Sequence, residues 1–378
     1  MLRIVLFLLI LQLVTTSLIL AEEGFNPPAP DRTRYKSIFN SMTRREKIAQ
    51  LIMAYANVEL VRKYQVGSVI FMGWQIKNQK QIKKFISGVQ QKSKIPCMIA
   101  TDEEGGRVNR FRIFRDARHP SAREVGSNIR SGKWDLQKVR ENAYRVGMTI
   151  SSIGVNANLA PVLDVSRRGL MKAQGRCYSI EQEEVRDIGR AFIQGFRDAG
   201  VICIAKHYPG YGELALTTDR YLLKDRRTWE NIEDDHIKPF EENKDVLGGL
   251  MLANIWFNLI DREHLASFSP VFIKRARADF PHGLLMTDDL RAKSVVELSK
   301  DNIEQIAQVA FLAGLDIFLT IKNANVPRII NGIEYLLENQ PELEIHLEES
   351  LARQFAYKEV WYNDFFKERI DKGNEEQN

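Results

Sequence analysis

The sequence predicts an α/β protein, a (β/α)8 TIM-type barrel in a single catalytic-size domain. Two patterns point there. Short runs that are apolar throughout recur along the chain, and amphipathic stretches of helical period separate them. Strands without polar alternation, each followed by a helix, belong to a parallel sheet covered on both faces. Seven or eight such units over about 300 residues suit a closed barrel better than an open doubly wound sheet. With 44% hydrophobic and 27% charged residues, the chain can fill such a core.

The elements follow in order. After Arg3, the run "IVLFLLILQLVTTSLILA" (Ile4 to Ala21) is followed by "AEEG", the pattern of a secretory signal peptide. An uncleaved membrane anchor is the alternative, because the run approaches spanning length. Either reading expects an exported protein, periplasmic, in the cell envelope or extracellular. A Pro-rich lead-in occupies 22–41. The barrel domain is expected over 42–365 and a polar tail over 366–378, whose end "DKGNEEQN" is expected to fray. "MTRREKIAQLIMAY" reads as one helix: Thr43 and Glu46 have capping-box spacing, and Ile48, Leu51, Ile52 and Tyr55 share a face. Strands are expected in "VGSVIFM" from Val66, "CMIATD" from Cys97, "VNANLAP" from Val155, "ICIAKHY" from Ile202, "GGLMLANI" from Gly248, "GLLMTDD" from Gly283 and "LDIFLT" from Leu315. Helices are expected in "NQKQIKKFISGVQQ", "DLQKVRENAYRVGMTISSI" and "EEVRDIGRAFIQGFRDA".

Composition narrows the function. A formal charge of +5 is small for 378 residues, and the densest basic stretch, "RVNRFRIFRDAR", carries no nucleic-acid motif. The three cysteines, Cys97, Cys177 and Cys203, have neither metal-ligand spacing nor an even count for a disulfide framework. Cys97 and Cys203 lie in apolar runs and read as packed thiols.

Polar residues collect where the apolar runs end, which in a parallel barrel is the active-site rim. "CMIATD" ends at Asp102 and continues into "EEGGRVNR", where Gly105 and Gly106 permit a tight turn and Arg107 and Arg110 follow. "VNANLAPVLDV" reaches Asp164, "ICIAKHY" ends at Lys206 and His207, and "GLLMTDD" ends at Asp288 and Asp289. A lone Asp after a strand is most often a turn or helix cap. Carboxylates and cations at several strand ends are harder to explain that way. "EEGGRVNR" matches neither the dinucleotide fingerprint nor the Walker spacing, so a phosphate loop is disfavoured.

"ATDEEGGRVNRF", "NLAPVLDV", "AKHYPGYG" and "LLMTDDL" occur in the order and near the spacing found in the glycoside hydrolase family 3 β-N-acetylhexosaminidases, which the chain resembles from about Met42 to about Lys358. The resemblance implies a barrel, a retaining mechanism with neither metal nor cofactor, and a carbohydrate substrate. It implies Asp288 as nucleophile. It implies Asp102, Arg110, Arg176 (in "GRCY"), Lys206 and His207 as sugar-binding groups. The departure is at the proton donor. Related chains carry "KHFPGHG" and then "DSH", whose His is the acid/base; here Tyr211 replaces the second His and "ELALTTDRY" holds no His. An ungapped match sets Asp219 at the donor position, as in a subgroup with "KHFPGLG" and "NTD". A loop two residues longer sets Tyr221 there. Tyr221 is the poorer acid, with an intrinsic pKa of about 10, and Glu213 is a backup on the same loop. The family's two-domain β-glucosidases take the acid from a second domain, for which no room is expected after the barrel.

The resulting expectation is an exo-acting, retaining β-N-acetylhexosaminidase acting on terminal N-acetylglucosamine of peptidoglycan fragments or related glycans. The alternative is an impaired relative that binds amino sugars or a partner, motivated by the absent His. A change of acceptor from water to phosphate, or of sugar to a glucoside, stays open.

Overall fold

The computed structural model describes residues 27–375. The apolar run Ile4–Ala21 lies outside them. Among the described residues, no helix is long and apolar enough to cross a membrane.

Eight parallel strands form the barrel: β1 (Ile52–Tyr55), β2 (Ser68–Phe71), β3 (Met98–Thr101), β4 (Ala157–Asn158), β5 (Ile202–Tyr208), β6 (Gly249–Leu252), β7 (Leu284–Thr287) and β8 (Phe318–Thr320). Each pairs with its sequence neighbour from β1 to β7, and β8 pairs with β1 in the register Ile52 to Phe318. A bridge from Met286 to Ile317 joins β7 to the start of β8 and closes the ring. Helices between strands cover the outside, among them Gln79–Lys92, Leu136–Ser151 and Gln182–Asp198.

The two core layers follow from strand alternation. Met53, Ile70, Met98, Ala100, Ile204, Met251 and Met286 fill the barrel interior. Their neighbours Ala54, Val69, Phe71, Ile99, Ala205 and Leu285 face the helices and join the larger outer core. Cys97 and Cys203 are buried free thiols of that outer layer.

The first strand corrects the sequence reading. The helix expected through Tyr55 spans only Arg44–Gln50, with the Thr43–Glu46 capping box in place, and Ile52–Tyr55 is β1. The spacing of Ile48, Leu51, Ile52 and Tyr55 satisfies a helix, but tertiary partners decide. The Gln50 amide donates to the Gln65 carbonyl at 2.7 Å, and Lys358 Nζ donates to Gln50 Oε1 at 2.8 Å. A Cβ on Gly67 would lie 2.1 Å from the Gln50 carbonyl oxygen, so only glycine lets β2 begin there.

The ends of the domain also differ from expectation. Of the stretch expected as a polar tail, residues 366–375 belong to a helix, Asn363–Glu375, and 376–378 lie outside the described residues. Phe366 of that helix is fully buried, with Tyr35 and Phe355 edge-on to it at ring-centroid distances of 5.9 and 5.5 Å. Tyr35 Oη donates to Glu359 at 2.7 Å, which fastens the lead-in segment to the helix Glu344–Trp361.

Candidate active site

A cavity of about 320 Å³ opens at the carboxyl ends of the barrel strands, lined by Asp102, Arg110, Arg176, Lys206, His207, Asp219 and Asp288 together with Glu104 and Tyr211. A larger groove of about 730 Å³ lies at the amino ends of β4 and β5, between Tyr144, Arg197 and Trp361, away from these groups.

The charged wall begins where β3 ends. Residues 103–105 and 108–109 form a short antiparallel hairpin turned by Gly105 at φ 98° and Gly106 at φ 57°. A Cβ at Gly105 would meet the Pro120 carbonyl oxygen at 2.1 Å. Alternation along this segment sends Asp102 and Glu104 to one side and Glu103 to the other. Glu103 accepts from Phe111 N at 2.6 Å and lies 3.5 Å from His119 Nε2, inside the protein. Asp102 accepts from Lys206 Nζ at 2.7 Å and from Arg110 at 3.1 Å. Glu104 receives both arms of Arg176, at 2.7 and 2.8 Å, and lies 2.8 Å from Lys206 Nζ.

Lys206 thus stands between two carboxylates. Burial opposes its charge, but Asp102 and Glu104 outweigh it and hold its pKa above the lysine norm. Burial likewise opposes the charges on Asp102 and Glu104. Lys206 and Arg110 for the first, and Arg176 and Lys206 for the second, keep both below the ordinary carboxylate range. Such paired charges present fixed donors and acceptors to a polyhydroxylated ligand.

His207 and Asp164 make a second unit. His207 Nδ1 lies 2.8 Å from Asp164 Oδ2, and Asp164 Oδ1 accepts from Tyr211 N at 2.6 Å. Burial opposes the Asp164 charge, but His207 and the Tyr211 N–H keep its pKa depressed. An anionic partner at Nδ1 fixes the ring and its tautomer, leaving Nε2 as the free nitrogen.

Asp288 follows β7. Its N–H donates to Leu252 O at 3.0 Å, and its Oδ1 accepts from Asp289 N at 2.7 Å. Burial lifts its pKa above the aspartate norm; the Asp219 charge adds to this while His207 works against it. Asp289 also reaches the cavity, but its Oδ1 is taken up by Ile321 N at 3.2 Å and Arg291 N at 3.0 Å. Burial raises Asp289 to about 6.

Asp219 stands on the loop after β5, exposed at the cavity wall. Ser294 N donates to Thr218 O at 3.2 Å and Lys293 N to Asp219 O at 3.3 Å, which brings this loop to the β7 side where Asp288 sits. Tyr221, the other donor position, is 47% exposed and does not line the cavity. Its N–H returns to Thr217 O at 3.2 Å, so the turn that presents Asp219 carries Tyr221 past the opening. Glu213 is also elsewhere: its carboxylate accepts from Arg167 N and Arg168 N, each at 2.7 Å.

Every residue expected from the sequence to bind sugar therefore lines one cavity with Asp288 and Asp219. Glu104 was missed as a site residue, and Asp164, expected at the rim, was given no role there. The period-2 relation of Glu104 to Asp102 could have shown the first; the His207 pairing of Asp164 spans 43 residues and has no local sign.

A beta-hexosaminidase of Tolumonas auensis is 29% identical over 282 residues, covering 73% of this chain and 82% of that protein. One from Haemophilus influenzae is 28% identical over 291 residues, covering 75% and 80%. Two solved structures share the fold. A glycoside hydrolase family 3 beta-N-acetylglucosaminidase from a Paenibacillus species aligns with TM-score 0.76 at 24% identity over 85% of this chain and 63% of that one. A beta-N-acetylhexosaminidase from Beutenbergia cavernae aligns with TM-score 0.74 at 24% identity over 84% and 98%. Residues 43–355 match the glycosyl hydrolase family 3 N terminal domain, and the chain belongs to that family.

Proposed function

We propose that the protein is a retaining, exo-acting glycoside hydrolase that removes terminal N-acetylhexosamine, chiefly N-acetylglucosamine, with Asp288 as nucleophile and Asp219 as acid/base. One observation carries the reading: Asp288 shares a cavity with the Asp102–Lys206–Glu104–Arg176 wall, while a carboxyl from the β5 loop stands at the same opening. The relatives named beta-hexosaminidase support the sugar class.

In the first step Asp288 attacks the anomeric carbon, the bond to the leaving oxygen breaks, and Asp219 gives that oxygen its proton. Water then attacks the same carbon, returns a proton to Asp219 and frees Asp288, with net retention. Asp102, Lys206, Arg110, Arg176 and His207 hold the sugar hydroxyls during both steps. The binding-only alternative is not favoured, because nucleophile, wall and a protonatable loop residue stand together and the relatives are named for hydrolysis.

Peptidoglycan fragments are the proposed natural source of the sugar, and the apolar run at the amino end supports action outside the cytoplasm. The test is release of 4-nitrophenol from its N-acetyl-β-glucosaminide by wild type and Asp288→Ala. Wild type is expected to turn over and the variant to be inert. A slow 2- or 5-fluorinated sugar should leave a covalent adduct on the peptide containing Asp288, and an adduct on another residue of active protein would remove the nucleophile assignment.

A further inference from the structure

We infer that Trp74 is a stacking platform for a second pyranose on the leaving-group side of the cavity, a specificity residue that favours a saccharide leaving group over a simple alcohol. This deepens the glycosidase reading and rests on it. Trp74 lines the same cavity as Asp288, yet at 65% it is the most exposed large apolar side chain among the described residues. Leaving an indole in water forgoes a large apolar contribution, so a rigidly held one at a cavity mouth calls for a ligand.

The rigidity is explicit. Trp74 belongs to the turn Gly73–Gln75 after β2. Gln75 ties that turn down at both ends: its Oε1 accepts from Met72 N at 3.0 Å, and its Nε2 donates to Ala56 O at 3.0 Å. The indole N–H donates to Tyr55 Oη at 2.6 Å, and the two rings stack at 6.2 Å with 27° between their planes. Tyr55 ends β1, so the platform is anchored on two strand ends. Gly73 packs beside Arg110: a Cβ there would lie 3.6 Å from the Arg110 carbonyl oxygen. Arg110 is the residue whose guanidinium holds Asp102.

The cavity therefore has two unlike halves. The ends of β3, β5 and β7 supply charges that suit the hydroxyls of the sugar being transferred. The ends of β2 and β8 supply Met72, Trp74 and Ile321. A pyranose with equatorial substituents has an apolar C–H face, and an aromatic ring buries that face without withdrawing the hydroxyl edge from water. In an exo-acting enzyme the transferred sugar occupies the closed, charged end. The sugar at the open mouth, where the indole stands, is the one that leaves.

Two substrates with unactivated alkoxide leaving groups isolate the second ring: N,N′-diacetylchitobiose, and methyl N-acetyl-β-glucosaminide, which lacks it. Trp74→Ala should lower kcat/KM for the disaccharide about tenfold through KM and change the methyl glycoside less than about twofold, and Trp74→Tyr should recover most of the loss. Equal loss on both substrates, or none on the disaccharide, overturns the platform. Calorimetric binding of the disaccharide to Asp288→Asn, with and without Trp74→Ala, reads the same site without turnover. An affinity about tenfold weaker in the double variant supports the inference, and an unchanged one overturns it. A wild type that binds but never cleaves would sink the glycosidase reading and leave the binding pair to decide Trp74.

Discussion

The phenol of Tyr211 accepts a hydrogen bond from Thr218 N at 3.0 Å and donates one to the Thr218 hydroxyl at 3.2 Å. Tyr211, expected from the sequence to stand in place of a second His, closes the loop that presents Asp219. Its own N–H donates to Asp164, and its ring meets His207 edge-on at 5.4 Å. One residue thus joins the Asp164–His207 unit to the loop that carries Asp219, the proposed acid/base. Tyr211→Phe keeps the packing but leaves the buried Thr218 N–H without its acceptor, at a cost of about 1–3 kcal/mol. The loosened loop should reduce turnover of unactivated glycosides about tenfold and of aryl glycosides much less, since aryl leaving groups need little acid assistance. Comparing kcat on the two substrate types, with the melting temperature as a control for folding, checks this.

The charge on Asp288 sets the acid side of the pH profile. As the proposed nucleophile, Asp288 must be ionised to attack, so activity is expected above its pKa and is lost as pH falls through it. Burial, then the neighbouring Asp219 charge, place that pKa above the usual aspartate value. Asp219→Asn removes the like charge, so the pKa of Asp288 falls. The acid limb of kcat/KM on an activated aryl glycoside should move to lower pH in the variant. A limb that stays in place, or moves upward, would mean that the two carboxyls do not sense each other.

Lys206 is the single ammonium shared by two buried carboxylates. Lys206→Met leaves Asp102 with Arg110 and Glu104 with Arg176, but brings their charges into direct opposition. Removing one partner of a buried ion network costs about 3–5 kcal/mol. In the wild type both carboxyls have depressed pKa values, so they contribute stability above the ordinary carboxylate pKa and lose it as pH falls. Without Lys206 those values rise. The variant should be least stable relative to wild type near neutral pH, and the gap should narrow on acidification. Thermal unfolding of both proteins across a pH series measures it.

Which features could be read in advance depends on the range of the interaction. Asp102, Lys206 and Asp288 are legible because each ends an apolar run, and strand ends converge in a parallel barrel. The seven anticipated strands are likewise local patterns. β1 was not legible, because Ile52–Tyr55 follows a helix without a Gly or Pro between them, and its apolar positions fit a period of 3.6 as well as 2. The helix through Glu375 was hidden because its polar composition resembles a tail, while its anchor, Phe366, finds Tyr35 more than three hundred residues away. The choice between Asp219 and Tyr221 rested on alignment of a loop; the backbone turn at Thr217 separates them in space.

A third group of charges, Asp316 with Arg277 and Arg353, joins the end of the barrel to its last helices. Asp316 precedes β8 and is fully buried. Its Oδ1 accepts from Ser350 Oγ and Arg353 Nε, each at 2.8 Å, while Oδ2 accepts from Leu285 N at 2.9 Å and also from Arg277. Burial opposes its charge, but Arg277 and Arg353 hold its pKa below the aspartate norm. One carboxylate therefore links β7, β8, the helix Pro270–Asp279 and the helix Glu344–Trp361. Asp316→Ala should destabilise the fold by about 3–5 kcal/mol, because two guanidinium groups and a backbone N–H lose their acceptor together. Asp316→Asn keeps the shape but not the charge, so its stability should depend less on pH in the acid range than that of wild type. The depressed pKa makes the wild-type contribution full above the unfolded value and absent below the folded one. Denaturant unfolding at neutral and acid pH separates the outcomes, and equal acid sensitivity in wild type and Asp316→Asn would show that this carboxylate is not what ties the last strand to its helices.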